Sequence, residues 1–236
     1  MYEAVLFDMD GVIVDTEHSV TDFWQRLAAS EGFSLSTEDL ERHVYGHRAD
    51  HTLRELFPGI SPGRYGEIYE RLRKNQESLL YAAIPGVHRL VAALAGAGVP
   101  LALVTGAQDW KAAAVLGQLE LTETFATQIC ADDVALGKPH PACYLLAAER
   151  LGVGIDRCLV FEDAVSGVTS AVTAGAACVA LAPPRRAGQV LGAGALTVVR
   201  DFDDIAFDPR ERTLSAAGRE RLPFAAAPGG RDLPAH

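Results

Sequence analysis

Ala4-Val5-Leu6-Phe7-Asp8-Met9-Asp10-Gly11-Val12-Ile13-Val14-Asp15-Thr16 decides how the rest of the chain is read. Four apolar residues, Ala4 to Phe7, read as a strand buried on both faces. The strand runs directly into Asp8, Asp10 follows two residues on, and Gly11 permits a tight backbone turn. Acids at the end of an apolar strand lie at the carboxyl edge of a sheet, where open α/β sheets bind ligands. Two carboxylates this close repel, so either one is protonated or a cation lies between them. A hard divalent ion such as magnesium suits oxygen ligands of this kind. The same acids could instead do no more than cap the following turn, a common use of aspartate.

Outward from this stretch the period changes. Val20, Phe23, Trp24, Leu27 and Ala28 recur at helical spacing, a second helix covers about Thr37 to Tyr45, and a third begins near Ala49. Tyr65, Ile68, Tyr69 and Leu72 mark a fourth. No strand pattern interrupts residues 16–84, which read as an inserted all-helical cap. From Pro85 strand and helix alternate. Leu101–Val104 ends on Thr105-Gly106, and a weak strand, Thr127 to Ala131, precedes Gly137-Lys138-Pro139-His140-Pro141. Cys158–Phe161 ends on Glu162 and Asp163. Cys178–Leu181 and a last edge strand, Leu196–Val199, complete a parallel sheet with helices on both sides. Residues 1–15 and 85–208 thus form one α/β core. Residues 209–236, rich in Ala, Gly, Pro and Arg, carry no sustained pattern and read as a poorly ordered tail, with at most a short helix near Ser215 to Arg221.

Composition narrows the function classes. The chain has 236 residues, 49% of them hydrophobic, and a formal net charge of -10, which argues against a nucleic-acid surface. The four cysteines, Cys130, Cys143, Cys158 and Cys178, form no C-x-x-C pair, and three of them lie in or beside strand-like runs. They read as small buried hydrophobes in a reducing compartment rather than zinc ligands. No signal peptide or membrane-length apolar run is present, so the reading is a cytoplasmic protein without membrane association, and a monomer by default.

Four strand ends carry polar groups: Asp8 with Asp10, Thr105, the Lys138 loop, and Glu162 with Asp163. In a parallel sheet all four share one edge and can meet in one cleft. Here the chain resembles the haloacid dehalogenase-like superfamily, in its β-phosphoglucomutase-like branch. The matching residues are Phe7-Asp8-Met9-Asp10-Gly11-Val12, Val104-Thr105-Gly106, Lys138-Pro139-x-Pro141 and Phe161-Glu162-Asp163-Ala164-x-Ser166-Gly167, and the likeness spans about residues 3 to 205. The resemblance implies a Rossmann-like core and a magnesium-dependent phosphatase of small phosphorylated metabolites. Asp8 would be the nucleophile that forms an aspartyl-phosphate, and Asp10 the general acid and then base. Asp8, the Asp10 carbonyl and Asp163 would hold magnesium, with Glu162 ligating directly or through water. Thr105 would bond a phosphoryl oxygen, aided by Gly106 and Ala107 at a helix N-terminus, and Lys138 would offset developing charge. Plainer roles stay open for three of these: a helix cap for Thr105 or Glu162, and a solvated loop lysine for Lys138.

In this superfamily the cap supplies substrate contacts, and the reading loop would be Gly46-His47-Arg48-Ala49-Asp50. His47 and Arg48 are candidate contacts there, and a solvated role is open for each. The resemblance also implies where a sugar phosphomutase would hold a second phosphate: a serine, lysine and asparagine after the second-motif strand, a cap arginine, and a histidine near the first helix. Here those places hold Ala107-Gln108-Asp109, Ala49 and Val20, and Asp109 would repel a phosphate. Hydrolysis is therefore favoured over the mutase. Asp10 argues against a metal-independent dehalogenase. Phosphonate cleavage would need a cap lysine, for which Lys74 is the only candidate, and a non-enzymatic descendant would not need the intact acids.

Overall fold

The computed structural model describes residues 1–218 and 220–226. Its first strand, β1 (Ala4–Phe7), is buried along its whole length, as an apolar run covered on both faces should be. The chain turns at Gly11 into a two-residue strand, β2 (Val14–Asp15). Four helices follow: α1 (Glu17–Ser30), α2 (Thr37–His43), α3 (Ala49–Leu56) and α4 (Tyr65–Glu77). Their apolar faces converge on a core of their own that includes Trp24, Leu27, Leu53, Phe57 and Ile68. Ser36 opens α2 through a reciprocal capping box with Asp39. The all-helical reading of residues 16–84 is corrected at its end, where β3 (Ala82–Ala83) pairs antiparallel with β2, so the block's two connections run side by side.

The alternation then resumes: α5 (Val87–Gly96), β4 (Leu101–Val104), α6 (Asp109–Gln118), β5 (Thr127–Ile129) and α7 (Ala142–Leu151). β6 (Cys158–Glu162), α8 (Val165–Ala174), β7 (Ala177–Leu181), α9 (Pro184–Gly192) and β8 (Thr197–Val199) complete it. The six core strands form one parallel sheet in the order β5-β4-β1-β6-β7-β8. This is a Rossmann-like arrangement with helices on both faces. β1 lies between β4 and β6, so the ends of these three strands converge where the winding direction reverses, the ligand position of such sheets. Phe7, Phe161 and Phe202 pack together beneath that point. All four cysteines are buried and unpaired. Among the described residues no helix is long and apolar enough to cross a membrane.

The expectation for residues 209 onward needs correction. After β9 (Ile205–Asp208), β10 (Thr213–Ala216) and β11 (Glu220–Pro223) complete a three-stranded antiparallel sheet, and among the described residues no helix forms near 215–221. Leu214, Ala216, Leu222 and Phe224 are buried in the same core as Phe7. The alternation of Leu214 and Ala216 with polar neighbours, repeated at Leu222 and Phe224, is the period of a half-buried strand. Residue 219 and residues 227–236, the rest of the expected tail, lie outside the described residues. Burying Leu214, Leu222 and Phe224 is worth roughly 5 kcal/mol in all, at about 1.5–3 kcal/mol per fully buried side chain. Deleting residues 209–236 is therefore expected to lower the thermal midpoint sharply or to prevent folding. A truncated chain that melts with the parent would show the hairpin to be dispensable.

Candidate active site

Asp8 follows β1 directly and is almost wholly buried. Its Oδ1 accepts a hydrogen bond from Lys138 Nζ at 2.6 Å. The same ammonium donates to Glu162 Oε1 at 2.6 Å and to the Val104 carbonyl at 3.1 Å. Lys138 thus comes from the loop after β5 and ties the ends of β1, β4 and β6 together. One oxygen from each of Asp8, Glu162 and Asp163 lies within 4.8 Å of the others. Acids separated by some 150 positions in sequence therefore share one spot.

The charges here are unbalanced. Burial raises the Asp8 carboxyl from its ordinary 3.8 to about 7, opposed by Lys138 and reinforced by Glu162. Burial and then the Glu162 and Asp8 charges push Asp163 well above the ordinary carboxylate range. For Lys138 burial works toward the neutral amine, but Asp8 and Glu162 outweigh it and keep the ammonium protonated. Three acids beside one ammonium can all ionise only if more positive charge joins them, and hard oxygen donors in this arrangement fit a divalent cation such as magnesium.

Glu162 is held from every side. Oε1 also accepts from the buried Tyr144 hydroxyl at 2.6 Å, and Oε2 accepts from the N–H groups of Asp163 (3.0 Å) and Ala164 (3.4 Å). Ala164, not Glu162, is the N-cap of α8, which sets the plain capping role aside. Two glycines make room for these acids. A Cβ on Gly167 would lie 1.9 Å from Glu162 Oε1, and one on Gly11, whose φ is +79°, would lie 2.3 Å from Asp163 Oδ2.

The Asp10 carboxylate stands apart from the cluster. Its Oδ1 accepts from Thr16 Oγ1 at 2.5 Å and from Lys111 Nζ at 2.6 Å. Thr105 is buried at the end of β4, and its Oγ1 accepts from the Ala107 N–H at 3.0 Å. The N-cap of α6 is Gln108, so Thr105 caps no helix, and Gly106 and Ala107 lie in the preceding turn rather than at a helix N-terminus.

Above these groups lies a cavity of about 320 Å³ lined by both lobes, with Asp8, Asp10, Thr105, Gly106, Ala107 and Asp163 on its wall. His47 and Arg48 line it from the opposite side. Arg48 reaches across to donate to the Val134 carbonyl at 3.3 Å. Lys138 lies behind the wall, reaching the cavity only through Asp8. Lys111, Tyr144 and Thr16 belong to this constellation and were not among the expected residues. Lys111 carried a signal, being one of three lysines, whereas nothing in its spacing marks Tyr144.

The His47 ring stacks on His51, centroids 4.1 Å apart, with His43 beyond, and its Nδ1 is buried without a partner. Burial, then the His51 and His43 charges, lowers it from 6.5 to about 4. Between those values the unfolded chain binds a proton that the folded chain refuses, so stability falls as pH falls from 6.5 toward 4. The full effect is about 3 kcal/mol at 1.36 kcal/mol per pH unit. His47→Asn should lose several degrees less than the parent when melted at pH 4.5 instead of pH 7. Equal losses would show that this ring does not carry the effect.

The fold and site define a class. The family model for haloacid dehalogenase-like hydrolases matches residues 2–175, and the chain belongs to that family. A phosphorylated carbohydrates phosphatase of Thermotoga maritima is 34% identical over 177 residues, covering 73% of this chain and 82% of its own length. Hexitol phosphatase A of Escherichia coli K12 is 34% identical over 186 residues, covering 77% and 84%. Among solved structures, a family hydrolase from Deinococcus radiodurans with bound phosphate and sodium aligns at TM-score 0.65 and 31% identity, covering 84% of this chain and 90% of its own. The protein is therefore a hydrolase of this family whose relatives include phosphatases.

Proposed function

We propose that the protein is a magnesium-dependent phosphatase acting on a small phosphorylated carbohydrate or similar metabolite, through an aspartyl-phosphate on Asp8. The observation that carries this reading is the meeting of Asp8, Glu162 and Asp163 at the carboxyl edge of the sheet, with the Lys138 ammonium bonded to the first two. Asp8, the Asp10 carbonyl and Asp163 would hold the metal, and Glu162 would add its charge directly or through water. When bound, the metal neutralises charge so that an anionic carboxylate can approach an anionic phosphate.

The chain's own residues do the rest. Asp8 attacks phosphorus and becomes the mixed anhydride while the substrate alcohol leaves. Asp10 gives that alcohol its proton, then takes one from the water that hydrolyses the aspartyl-phosphate. Lys138 holds Asp8 in place and offsets developing charge through it, and Thr105 with the Gly106–Ala107 turn cradles the phosphoryl oxygens. Residues 16–84 act as a cap: His47 and Arg48 face the cleft from it, and closure excludes bulk water. The names of the two phosphatase relatives support a phosphorylated carbohydrate as the substrate.

The test is phosphate release from p-nitrophenyl phosphate and a panel of phosphorylated metabolites, with magnesium and with EDTA. Magnesium-dependent release without isomerised product is expected. Conversion of a sugar 1-phosphate to its 6-phosphate would instead establish a mutase, and inertness toward every phosphate ester would end the enzymatic reading.

A further inference from the structure

We infer that the leaving-group half of this cavity selects monophosphates of neutral, hydroxyl-rich alcohols, with Gln76 reading a hydroxyl, over phosphorylated acids and bisphosphates. The inference rests on the phosphatase reading and adds to it a charge rule for the part of the substrate that is not phosphate.

The first argument is that every cation near the cavity already has an anionic partner. Lys138 is shared by Asp8 and Glu162. Lys111, whose side chain is only 6% exposed, is bound to Asp10 at 2.6 Å. Turning it toward a second anion would strand a buried charge, which is costly. Arg48 lies 3.4 Å from Asp50 and donates to the Val134 carbonyl. Asp132 also lines the cavity and forms no ion pair among the described residues. A carboxylate or second phosphate on the leaving group would therefore meet Asp50 and Asp132 without a free cation to answer it.

The second argument comes from what the wall does offer. Trp24, Tyr69, Leu72 and Trp110 present apolar and ring surfaces suited to the C–H faces of a polyol or a sugar ring. Gln76 stands among them, more than nine-tenths buried. Its backbone carbonyl accepts from the Tyr81 hydroxyl, but its side-chain amide has no hydrogen-bond partner among the described residues. Neither amide atom is among the buried atoms that lack a partner, so the amide reaches accessible space on the cavity wall, where it is a donor and acceptor open to a ligand. A neutral amide can both donate to and accept from a hydroxyl, and it has no charge with which to hold an anion.

The experiment compares kcat/KM, with magnesium, for a hexitol 6-phosphate, 2-phosphoglycolate, fructose 1,6-bisphosphate and p-nitrophenyl phosphate. The hexitol phosphate should exceed both charged substrates by about tenfold or more, since like-charge juxtaposition costs at least that factor. Gln76→Leu should lower the ratio of hexitol phosphate to p-nitrophenyl phosphate by about tenfold, the usual scale of a lost hydrogen bond to substrate. A merely loosened fold would lower both rates and leave that ratio alone. Asp50→Asn, which releases Arg48, should raise the relative rate on 2-phosphoglycolate. Equal or better turnover of the acid or the bisphosphate, or an unmoved ratio in Gln76→Leu, overturns the inference alone. No release even from p-nitrophenyl phosphate overturns the phosphatase reading, and the inference with it.

Discussion

Asp8→Asn should reduce magnesium-dependent turnover by ~10⁴-fold or more, the scale seen when a covalent nucleophile is removed from a site whose parts act as a unit. An amide cannot form the phosphoanhydride, so the loss should be in kcat for every phosphate ester tested. The fold should survive. Burial already raises the Asp8 carboxyl to about 7, so the folded chain tolerates a neutral group there. Lys138 keeps Glu162 and the Val104 carbonyl as partners. The sign of the pH effect follows. From the unfolded value near 3.8 up to about 7, the folded chain retains a proton that the unfolded chain has lost. This residue's contribution to stability is therefore complete below that window and declines as pH rises through it. The asparagine variant should lack that decline.

A second readout separates metal binding from chemistry. An ion that binds only the folded state raises the melting temperature by mass action. Magnesium should stabilise the parent, and Asp8→Asn should weaken the shift because one of the carboxylates is gone. Turnover preserved in Asp8→Asn would remove the nucleophile assignment. An unchanged magnesium shift would remove Asp8 from the metal site.

What the sequence shows of this site, and what it conceals, follows from how each group is held. Asp8, Thr105, Glu162 and Asp163 were legible because each terminates an apolar strand, and a parallel sheet sends all such ends to one edge. Lys138 was legible as a rare lysine in a proline-framed loop. The contacts of Lys111 and Tyr144 were not, although Lys111 is itself one of only three lysines, because both project from helices whose pattern reports only which face is apolar. Their contacts to Asp10 and Glu162 depend on how α6 and α7 sit against the sheet, and no spacing encodes that. Gly167 illustrates the reverse case. It is visible as part of a motif, yet its physical reason, the Glu162 carboxylate lying where a Cβ would be, exists only in three dimensions. The C-terminal hairpin was concealed by composition. Ala, Gly and Pro dominate residues 209–236, and the two short alternations that bury Leu214 and Phe224 are too brief to stand out alone.

Lys138→Met should be the most damaging single change for the fold, as well as for activity. The side chain is 2% exposed and lies between Asp8, at 6%, and Glu162, at 0%. It also rests over the Tyr144 ring, 5.1 Å from the centroid. Removing the ammonium leaves two buried carboxylates facing each other, and breaking a buried pair in this way costs about 3–5 kcal/mol. Glu162 keeps the Tyr144 hydroxyl and two backbone N–H donors, but hydrogen bonds alone do not remove the repulsion from Asp8. The cost should therefore fall when a second charge is deleted. Lys138→Met with Glu162→Gln should be less destabilised than the sum of the two single variants, with a coupling of at least ~1 kcal/mol. Turnover should stay low in the double variant, because no cation remains to hold Asp8 in place. Chemical denaturation of the four proteins, parent included, measures the cycle. Additive losses would mean that Lys138 and Glu162 stabilise the fold independently, and a Lys138→Met protein as stable as the parent would mean that the ammonium is not the charge that organises these acids.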